Sequence, residues 1–338
     1  LRRSMREFSC MKILHEKSPC CRAPIVRFGG RRRRCQKCRH TWRTWPHRRG
    51  RKRIRGSPEI LHRTLKDQRP ITRQHRNDGL SVPARQYRFR KLLERFAIHR
   101  RLTEIPGGSH ALLIDGLWFR LRGVRCVLYI MALKPLNDCH AYFLEPVLLQ
   151  GRESAAQWRI AITTISPEIR ERIKAVVSDG IRGIKKVAIE YGWILQRCHF
   201  HLIADLSAHR GKWKLKRYRD RMLRESIYQT TRNALTVPAG QQLQNDIVCL
   251  KGFTASWDCP RQLRTLTKDF LRNLDAFRAY QIHSKLNLPT TTGTLEAMNK
   301  IIRKIVRPIN NQNALLRWAR ATIRANSPLV CNKKNQPN

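Results

Sequence analysis

The segments Leu112-Leu113-Ile114-Asp115-Gly116 and Ala175-Val176-Val177-Ser178-Asp179-Gly180 each end an apolar run with an aspartate and a glycine. A third acid, in Gly293-Thr294-Leu295-Glu296, opens an amphipathic helix much further along the chain. If the two runs are central strands of one sheet, both aspartates lie at the same edge of it. A helix packed across that edge can then present the glutamate to both of them. These three segments determine the predicted fold and the predicted site.

The sequence around the aspartates predicts three strands followed by alternating helices and strands. Strands are expected at 111–121, 124–133, 140–144, 173–178 and 193–198, with helices at 154–164 and 184–191. Short polar breaks separate the first three runs, which indicates an antiparallel meander. This order of elements is typical of an α/β fold with a ribonuclease H-like core.

Helical patterns dominate the rest of the chain. Residues 199–285 are mostly helical in pattern, with a break at Val237-Pro238-Ala239-Gly240, and are expected to form an insertion before Glu296. Two more helices are predicted at about 294–306 and 313–325. The predicted catalytic domain therefore covers 110–326, and residues 327–338 are expected to form a disordered tail.

The composition points to a polyanionic partner. The net charge is +47 over 338 residues, and about half of the excess lies in residues 1–105. Like charges oppose compaction, so this charge is best explained by binding to nucleic acid. A ribosomal or chromatin-like protein is the alternative, but 41% hydrophobic residues and eight tryptophans indicate real cores.

The sequence also predicts the location of the protein. It contains neither an apolar run of about 20 residues nor a signal peptide, so a soluble, cytoplasmic, nucleoid-associated protein without membrane contact is expected. Eleven cysteines without an export signal favour thiols and metal ligands over disulfides. The first residue, Leu1, indicates either a misjudged start, with Met5 or Met11 as the true one, or a fragment.

A zinc-ribbon-like module is predicted at residues 18–45, after an N-terminal extension (1–17) of uncertain structure. Cys35 and Cys38 have the C-x2-C spacing of a zinc knuckle. The second pair would come from Cys20 and Cys21. Adjacent cysteines suit one metal poorly, which makes Cys21 the better candidate. Ser18 stands where many zinc ribbons have a cysteine, so substitution by Cys20 or His15, or a metal-free module, remains open.

A basic linker (46–56) and a helix-turn-helix region (57–105) are predicted next. Ser57-Pro58-Glu59 is a favourable helix start. In the second helix Phe89, Leu92, Leu93 and Phe96 form an apolar stripe. Basic side chains lie mostly outside this stripe and are predicted to contact DNA. These are Arg85, Arg88, Lys91 and Arg95.

Three converging carboxylates predict a metal site. Asp115, Asp179 and Glu296 can hold two divalent cations, and hard oxygen ligands favour Mg²⁺ (or Mn²⁺). Lys300 and Arg303 follow Glu296 at i+4 and i+7 and are predicted to face a phosphate strand.

Several motifs together resemble the Mutator-like bacterial insertion-sequence transposases of the D-D-E superfamily. They are Ile114-Asp115-Gly116, Ser178-Asp179-Gly180, Gln196-Arg197-Cys198-His199-Phe200-His201 and Gly293-Thr294-Leu295-Glu296-Ala297-Met298-Asn299. The resemblance implies that Asp115, Asp179 and Glu296 are the catalytic metal ligands. It also implies that Cys198 and His201 open the helical insertion and are required for activity without holding the catalytic metal.

The same resemblance implies a transposase that binds double-stranded DNA at the terminal inverted repeats of its element. It would cleave these ends, join them to target DNA and act as a homo-oligomer. Alternatives are a structure-specific nuclease and a decayed or recruited DNA-binding protein. Asp205 and Glu190 are the next acids to consider as ligands, and His199 is a possible third ligand beside Cys198 and His201.

Overall fold

The structure, a computed structural model, describes residues 17–18, 20–28, 32–43, 65, 87, 90–94, 105–211, 218–306, 309 and 311–326. Contacts divide the chain into two units, Leu1–Arg55 and Gly56–Asn338. The predicted basic linker, the predicted tail and nearly all of the N-terminal extension lie outside the described residues.

The first unit contains a small antiparallel sheet. Its strands are β1 (Ile25–Arg27), β2 (Arg32–Cys35) and β3 (Thr41–Arg43), in the order β1-β2-β3. Among the described residues of this unit, only Cys35 and Ser18 are buried. The described part of this unit has little apolar core, and small modules of this kind usually need a metal or a crosslink to fold stably.

The second unit is built on a six-stranded mixed sheet. Its strands are β4 (His110–Leu121), β5 (Val124–Pro135), β6 (Tyr142–Phe143), β7 (Val147–Gln150), β8 (Ile173–Ser178) and β9 (Ile194–Arg197). The order is β6-β5-β4-β8-β9, with β7 also on β5. β4, β5, β6 and β7 pair antiparallel, whereas β8 and β9 are parallel to β4. This mixed α/β arrangement is consistent with the predicted ribonuclease H-like core.

The third predicted strand, at 140–144, was only partly right. β6 covers two residues of it, and the unpredicted strand β7 pairs with the rest of the same edge of β5. Pro146 lies between the two strands. Because proline has no N–H to donate to a ladder, it interrupts the edge strand at this point.

Helices cover both faces of the sheet. One face of β4, with Leu113 and Leu117, packs on the two C-terminal helices, and the other, with Leu112 and Ile114, packs on helices between the strands. Strands buried on both faces read as continuous apolar runs, which explains the sequence pattern. The helices concerned are α1 (Ala155–Thr163), α2 (Pro167–Glu171) and α3 (Ile184–Glu190).

The predicted insertion between β9 and the C-terminal helices is helical, as expected. It contains α4 (His199–Arg210), α5 (Tyr218–Thr236), α6 (Gln241–Ala255), α7 (Arg261–Arg272), α8 (Leu274–Phe277), α9 (Ala279–Ile282) and a 3-10 turn at Ser284–Leu286. It has its own apolar core, which includes Leu206, Ile227, Leu250 and Phe270.

Two helices follow the insertion, α10 (Gly293–Val306) and α11 (Gln312–Asn326), and both are close to their predicted bounds. Of the predicted helix-turn-helix region, the structure describes only residues 65, 87 and 90–94, all helical. Leu65 and Leu93 are buried against Ala321 and Ala325 of α11. No helix in the described part of the chain is long and apolar enough to cross a membrane.

Packing of α10 on the sheet is a testable source of stability. Ile302 is fully buried in α10, so replacing it with alanine removes apolar contacts and leaves a cavity. We expect Ile302→Ala to lower the free energy of unfolding by about 2–5 kcal/mol, measured by urea denaturation. Lys304→Ala, at an exposed position of the same helix, is the matched control. Equal losses in both variants would contradict the packing described here.

Candidate active site

Asp115 lies in the middle of β4, as the predicted strand at 111–121 implies, and not at the end of the strand, where the end of its apolar run had suggested a sheet edge. It pairs with Ile130 of β5. The antiparallel pairing of β4 with β5 continues beyond Asp115 to Leu121 and Val124. Pairing between β4 and its parallel neighbour β8 stops at Leu113↔Val177. Asp115 therefore lies just beyond the point where the parallel ladder ends. The expected sheet edge exists, but it is the end of β8 and not of β4.

The structure brings Asp115 together with Glu296 of α10 and His201 of α4. One ligand atom from each of the three lies within 4.8 Å of the others. The His201 Nε2 to Glu296 Oε1 distance is 2.8 Å. Leu295, Met298 and Ile302 bury the apolar face of α10 against the sheet, which places the glutamate of its first turn over β4.

Asp115 is nearly buried, and Asn299 is its hydrogen-bond partner. The Asn299 Nδ2 donates to Asp115 Oδ2 at 2.5 Å. Burial raises the pKa of Asp115 to about 8, and the adjacent Glu296 carboxyl and the charge of Asp179 add to this effect. Two carboxyl groups in one apolar setting cannot both ionise easily unless a cation joins them. Asn299 is the last residue of the motif at 293–299, where no role of its own was predicted for it, and its i+3 spacing places it on the same helix face as Glu296.

Asp179 follows directly after β8 but is not one of the three groups within 4.8 Å. Its charge nevertheless contributes to the raised pKa values of both Asp115 and His201. The Ser178 hydroxyl lies 3.4 Å from Asp179 Oδ1 and accepts a hydrogen bond from the Gly180 N–H. Asp179 is therefore near enough to raise the pKa values of Asp115 and His201, but it is not one of the three grouped residues.

Arg197, at the end of β9, fixes the backbone beside Asp179. Its Nη2 donates to Asp179 O and to Asp269 Oδ2 of α7, both at 3.2 Å. Gly180 has a φ of +100°, and a Cβ there would lie 2.0 Å from the Arg197 guanidinium carbon. The glycine after this aspartate is therefore explained by both its backbone conformation and the arginine packed on it.

The Cys198-x2-His201 motif connects the insertion to the segment that leads into α10. The buried Cys198 Sγ lies 3.3 Å from Thr292 Oγ1 and accepts a hydrogen bond from the Thr292 N–H. Interaction with Cys198 is the main cause that raises the pKa of His201 to about 9, against the effect of burial. His199 does not join them, because its Nε2 lies 2.6 Å from Phe277 O in the insertion.

None of the three predicted acidic ligands pairs with lysine or arginine within the described ranges. Most of the other acids that form ion pairs in the described residues pair with an arginine. These include Glu94, Glu145, Glu190, Asp220, Glu225 and Asp269. Glu190 and the exposed Asp205, the reserve candidates, lie outside the cluster. Carboxylates whose only basic ion-pair partner among the described residues is one histidine, gathered at low exposure, fit a divalent metal ion such as Mg²⁺ or Mn²⁺.

The positions of the predicted DNA contacts are known in part. Lys91, Lys300 and Arg303 are exposed, as a role in phosphate binding requires. Arg85, Arg88 and Arg95 lie outside the described residues.

The first unit contains a second cluster, of four cysteines. The thiols of Cys20, Cys21, Cys35 and Cys38 lie within 4.8 Å of one another. Four thiolates about 2.3 Å from one tetrahedral zinc stand about 3.8 Å apart, so this cluster fits zinc. Cys20 takes part together with Cys21, although adjacent cysteines were expected to be a poor pair. A hydrogen bond with the buried Ser18 is the main cause that lowers the pKa of Cys35 to about 6.

A comparison with known protein families gives one match. The sequence profile described as "Transposase, Mutator family" matches residues 97–327. The chain belongs to this family. The match includes the three acids, the Cys-x2-His motif and the helical insertion, but not the cysteine cluster of the first unit. No curated protein matches the chain.

Gly180 offers a test of the arginine contact in this transposase. A left-handed backbone costs a non-glycine residue about 1–2 kcal/mol, and at Gly180 the Cβ would also collide with Arg197. We expect Gly180→Ala to destabilise the fold more than Gly123→Ala, measured by chemical denaturation. Gly123 is the matched control because its φ is +85° and a Cβ there would meet nothing within 4 Å. Equal losses would show that Arg197 does not pack on this position.

Proposed function

We propose that this protein is an active D-D-E transposase, which binds the terminal inverted repeats of its element and catalyses metal-dependent strand cleavage and strand transfer. Asp115, Asp179 and Glu296 would be its metal ligands. The observation that carries the proposal is the approach of Glu296 to Asp115, across 181 residues of sequence, beside the end of β8.

The electrostatic setting supports the same assignment. A lysine or arginine paired with these carboxylates would neutralise them and compete with a metal ion, and no such ion pair is found among the described residues. The raised pKa of Asp115 follows from burial and like charge. A bound divalent cation would remove that penalty, activate the attacking oxygen and stabilise the leaving oxygen.

The reaction consists of two phosphoryl transfers of the same kind. In cleavage, a water oxygen bonds to phosphorus while the bond from phosphorus to the 3′ oxygen breaks, which leaves a free 3′-hydroxyl and a 5′-phosphate. In joining, that 3′-hydroxyl attacks a target phosphate, and a target 3′ oxygen departs. The role of the chain is to align attacking and leaving oxygens on opposite sides of the phosphorus.

Neighbouring side chains have positioning roles in this proposal. Asn299 holds one Asp115 oxygen, which leaves the other for metal. His201 holds Glu296 through an ion pair. Cys198 anchors the segment before α10 through Thr292. The motif therefore supports the glutamate from the insertion side.

DNA recognition is assigned to the N-terminal part of the chain. We infer that the four-cysteine cluster holds zinc and stabilises a small module with a strongly basic strand, Arg32–Cys35. The predicted helix-turn-helix at 57–105 would read the terminal repeats. Two DNA ends must be processed together, so a homo-oligomer on DNA is part of the proposal.

Amide substitutions of the three acids test the catalytic assignment. Asp115→Asn, Asp179→Asn and Glu296→Gln remove a metal ligand with little change in shape. Metal ions supply several kcal/mol of transition-state stabilisation, so cleavage should fall by roughly a thousandfold or more. The measurement is cleavage and joining of labelled duplexes that carry the element's ends, with Mg²⁺ or Mn²⁺.

The control is Asp205→Asn, an exposed acid of α4 outside the cluster, which should keep wild-type activity. Activity that survives Glu296→Gln would overturn the choice of third ligand. Tight DNA binding without any wild-type chemistry would favour the decayed or recruited alternative.

Zinc in the first unit is tested by metal analysis. The purified wild type should contain one zinc per chain, and Cys35→Ser should lose it, because Cys35 is the one buried cysteine of the four. Cys249→Ser, at an exposed cysteine of the second unit outside any metal-binding cluster of the described residues, is the control and should keep zinc. Equal zinc content in all three proteins would refute the assignment.

A further inference from the structure

Helix α7 of the insertion has an exposed stripe that carries three basic side chains and no acid. Arg261, Thr265, Lys268 and Arg272 are all exposed and follow one another at i, i+4, i+7 and i+11. This spacing places them on a single stripe. Leu263, Thr267 and Phe270 are buried on the opposite side, against the insertion core.

The three cations of this face have no acidic partner in the part of the chain that the structure describes. Asp269 is the only acid in α7. Its carboxylate is held by Arg197 and Asn273. The stripe therefore presents positive charge alone to its surroundings, over about 16 Å of helix axis.

This helix lies beside the candidate active site. One Arg197 guanidinium nitrogen joins Asp269 of α7 to the backbone oxygen of Asp179. α7 also packs against α4, whose His201 contacts Glu296. DNA whose phosphate lies at the carboxylates therefore continues within reach of this helix.

We propose that the exposed face of α7, formed by Arg261, Lys268 and Arg272, binds the DNA backbone next to the scissile phosphate. The occupant is duplex DNA, because the face is a row of cations without acids beside a site that handles phosphodiesters. The proposal rests on the proposed function and locates a second DNA contact on the insertion, separate from the N-terminal region.

The test is the salt dependence of DNA binding by the full chain. Each phosphate contact contributes about 0.9 to the slope of log affinity against log salt concentration. The triple variant Arg261→Gln, Lys268→Gln, Arg272→Gln should therefore bind with a slope shallower by about 2–3. Anisotropy of a labelled duplex carrying an element end, in buffer without divalent metal, measures this. Lys268→Gln alone should give about one third of the change.

The hairpin between β4 and β5 provides a matched control. Arg120, Arg122 and Arg125 are also three exposed cations, and changing them to glutamine removes the same charge. The control should bind with the wild-type slope. The proposal is overturned if the α7 variant keeps the wild-type slope, or if the hairpin variant changes as much, since the effect would then be one of net charge.

Hydroxyl-radical footprinting of the same complexes locates the contact. The α7 variant should lose protection beside the cleavage position and keep it elsewhere. Loss at distant positions alone would refute the location. Because binding is measured without metal, failure of the surface is distinguishable from failure of the proposed function, which is judged by cleavage with Mg²⁺.

Discussion

Two carboxylates held together at low exposure are the constraint on which the rest of the site depends. Asp115 belongs to a strand buried on both faces, and Glu296 is pressed over it by the apolar face of α10. Water cannot fully screen charges in such a place, so the raised pKa of Asp115 is a direct consequence of the packing. The hydrophobic contacts of α10 thus force a charge repulsion that a cation would relieve.

The insertion begins and ends at this cluster, which explains how so long an interruption is compatible with one site. Gln196, the residue before Arg197, is fully buried and donates from Nε2 to Phe277 O, while its Oε1 accepts from the Tyr280 N–H. The His199 N–H donates to Thr290 O. The two ends of the insertion are therefore bonded to each other beside β9. Its helical interior can pack as a separate core without moving the ends.

The order of elements and the three acids could be predicted from the sequence because they depend on local patterns. Apolar runs, glycines and helical spacing specify β4, β8 and α10 almost to the residue. Pairing lengths could not be predicted in this way. Whether β4 stops at Asp115 depends on β5, which continues to pair beyond the end of β8. The contact between His201 and Glu296 likewise depends on how the insertion folds back, which no short-range pattern encodes.

The distribution of charge gives the strongest physical argument about the site. With 70 lysines and arginines against 23 acids, a carboxylate placed at random would usually find a cationic neighbour. The described contacts of Asp115, Asp179 and Glu296 are instead an asparagine, a serine and a histidine. Only the histidine among these contacts can carry a positive charge, and one imidazolium cannot balance three carboxylates, so the arrangement is expected where a metal ion supplies the missing charge. Arg197 donates to the backbone oxygen of Asp179 and to Asp269. It therefore holds the Asp179 backbone in place, while its ion pair is formed with the insertion.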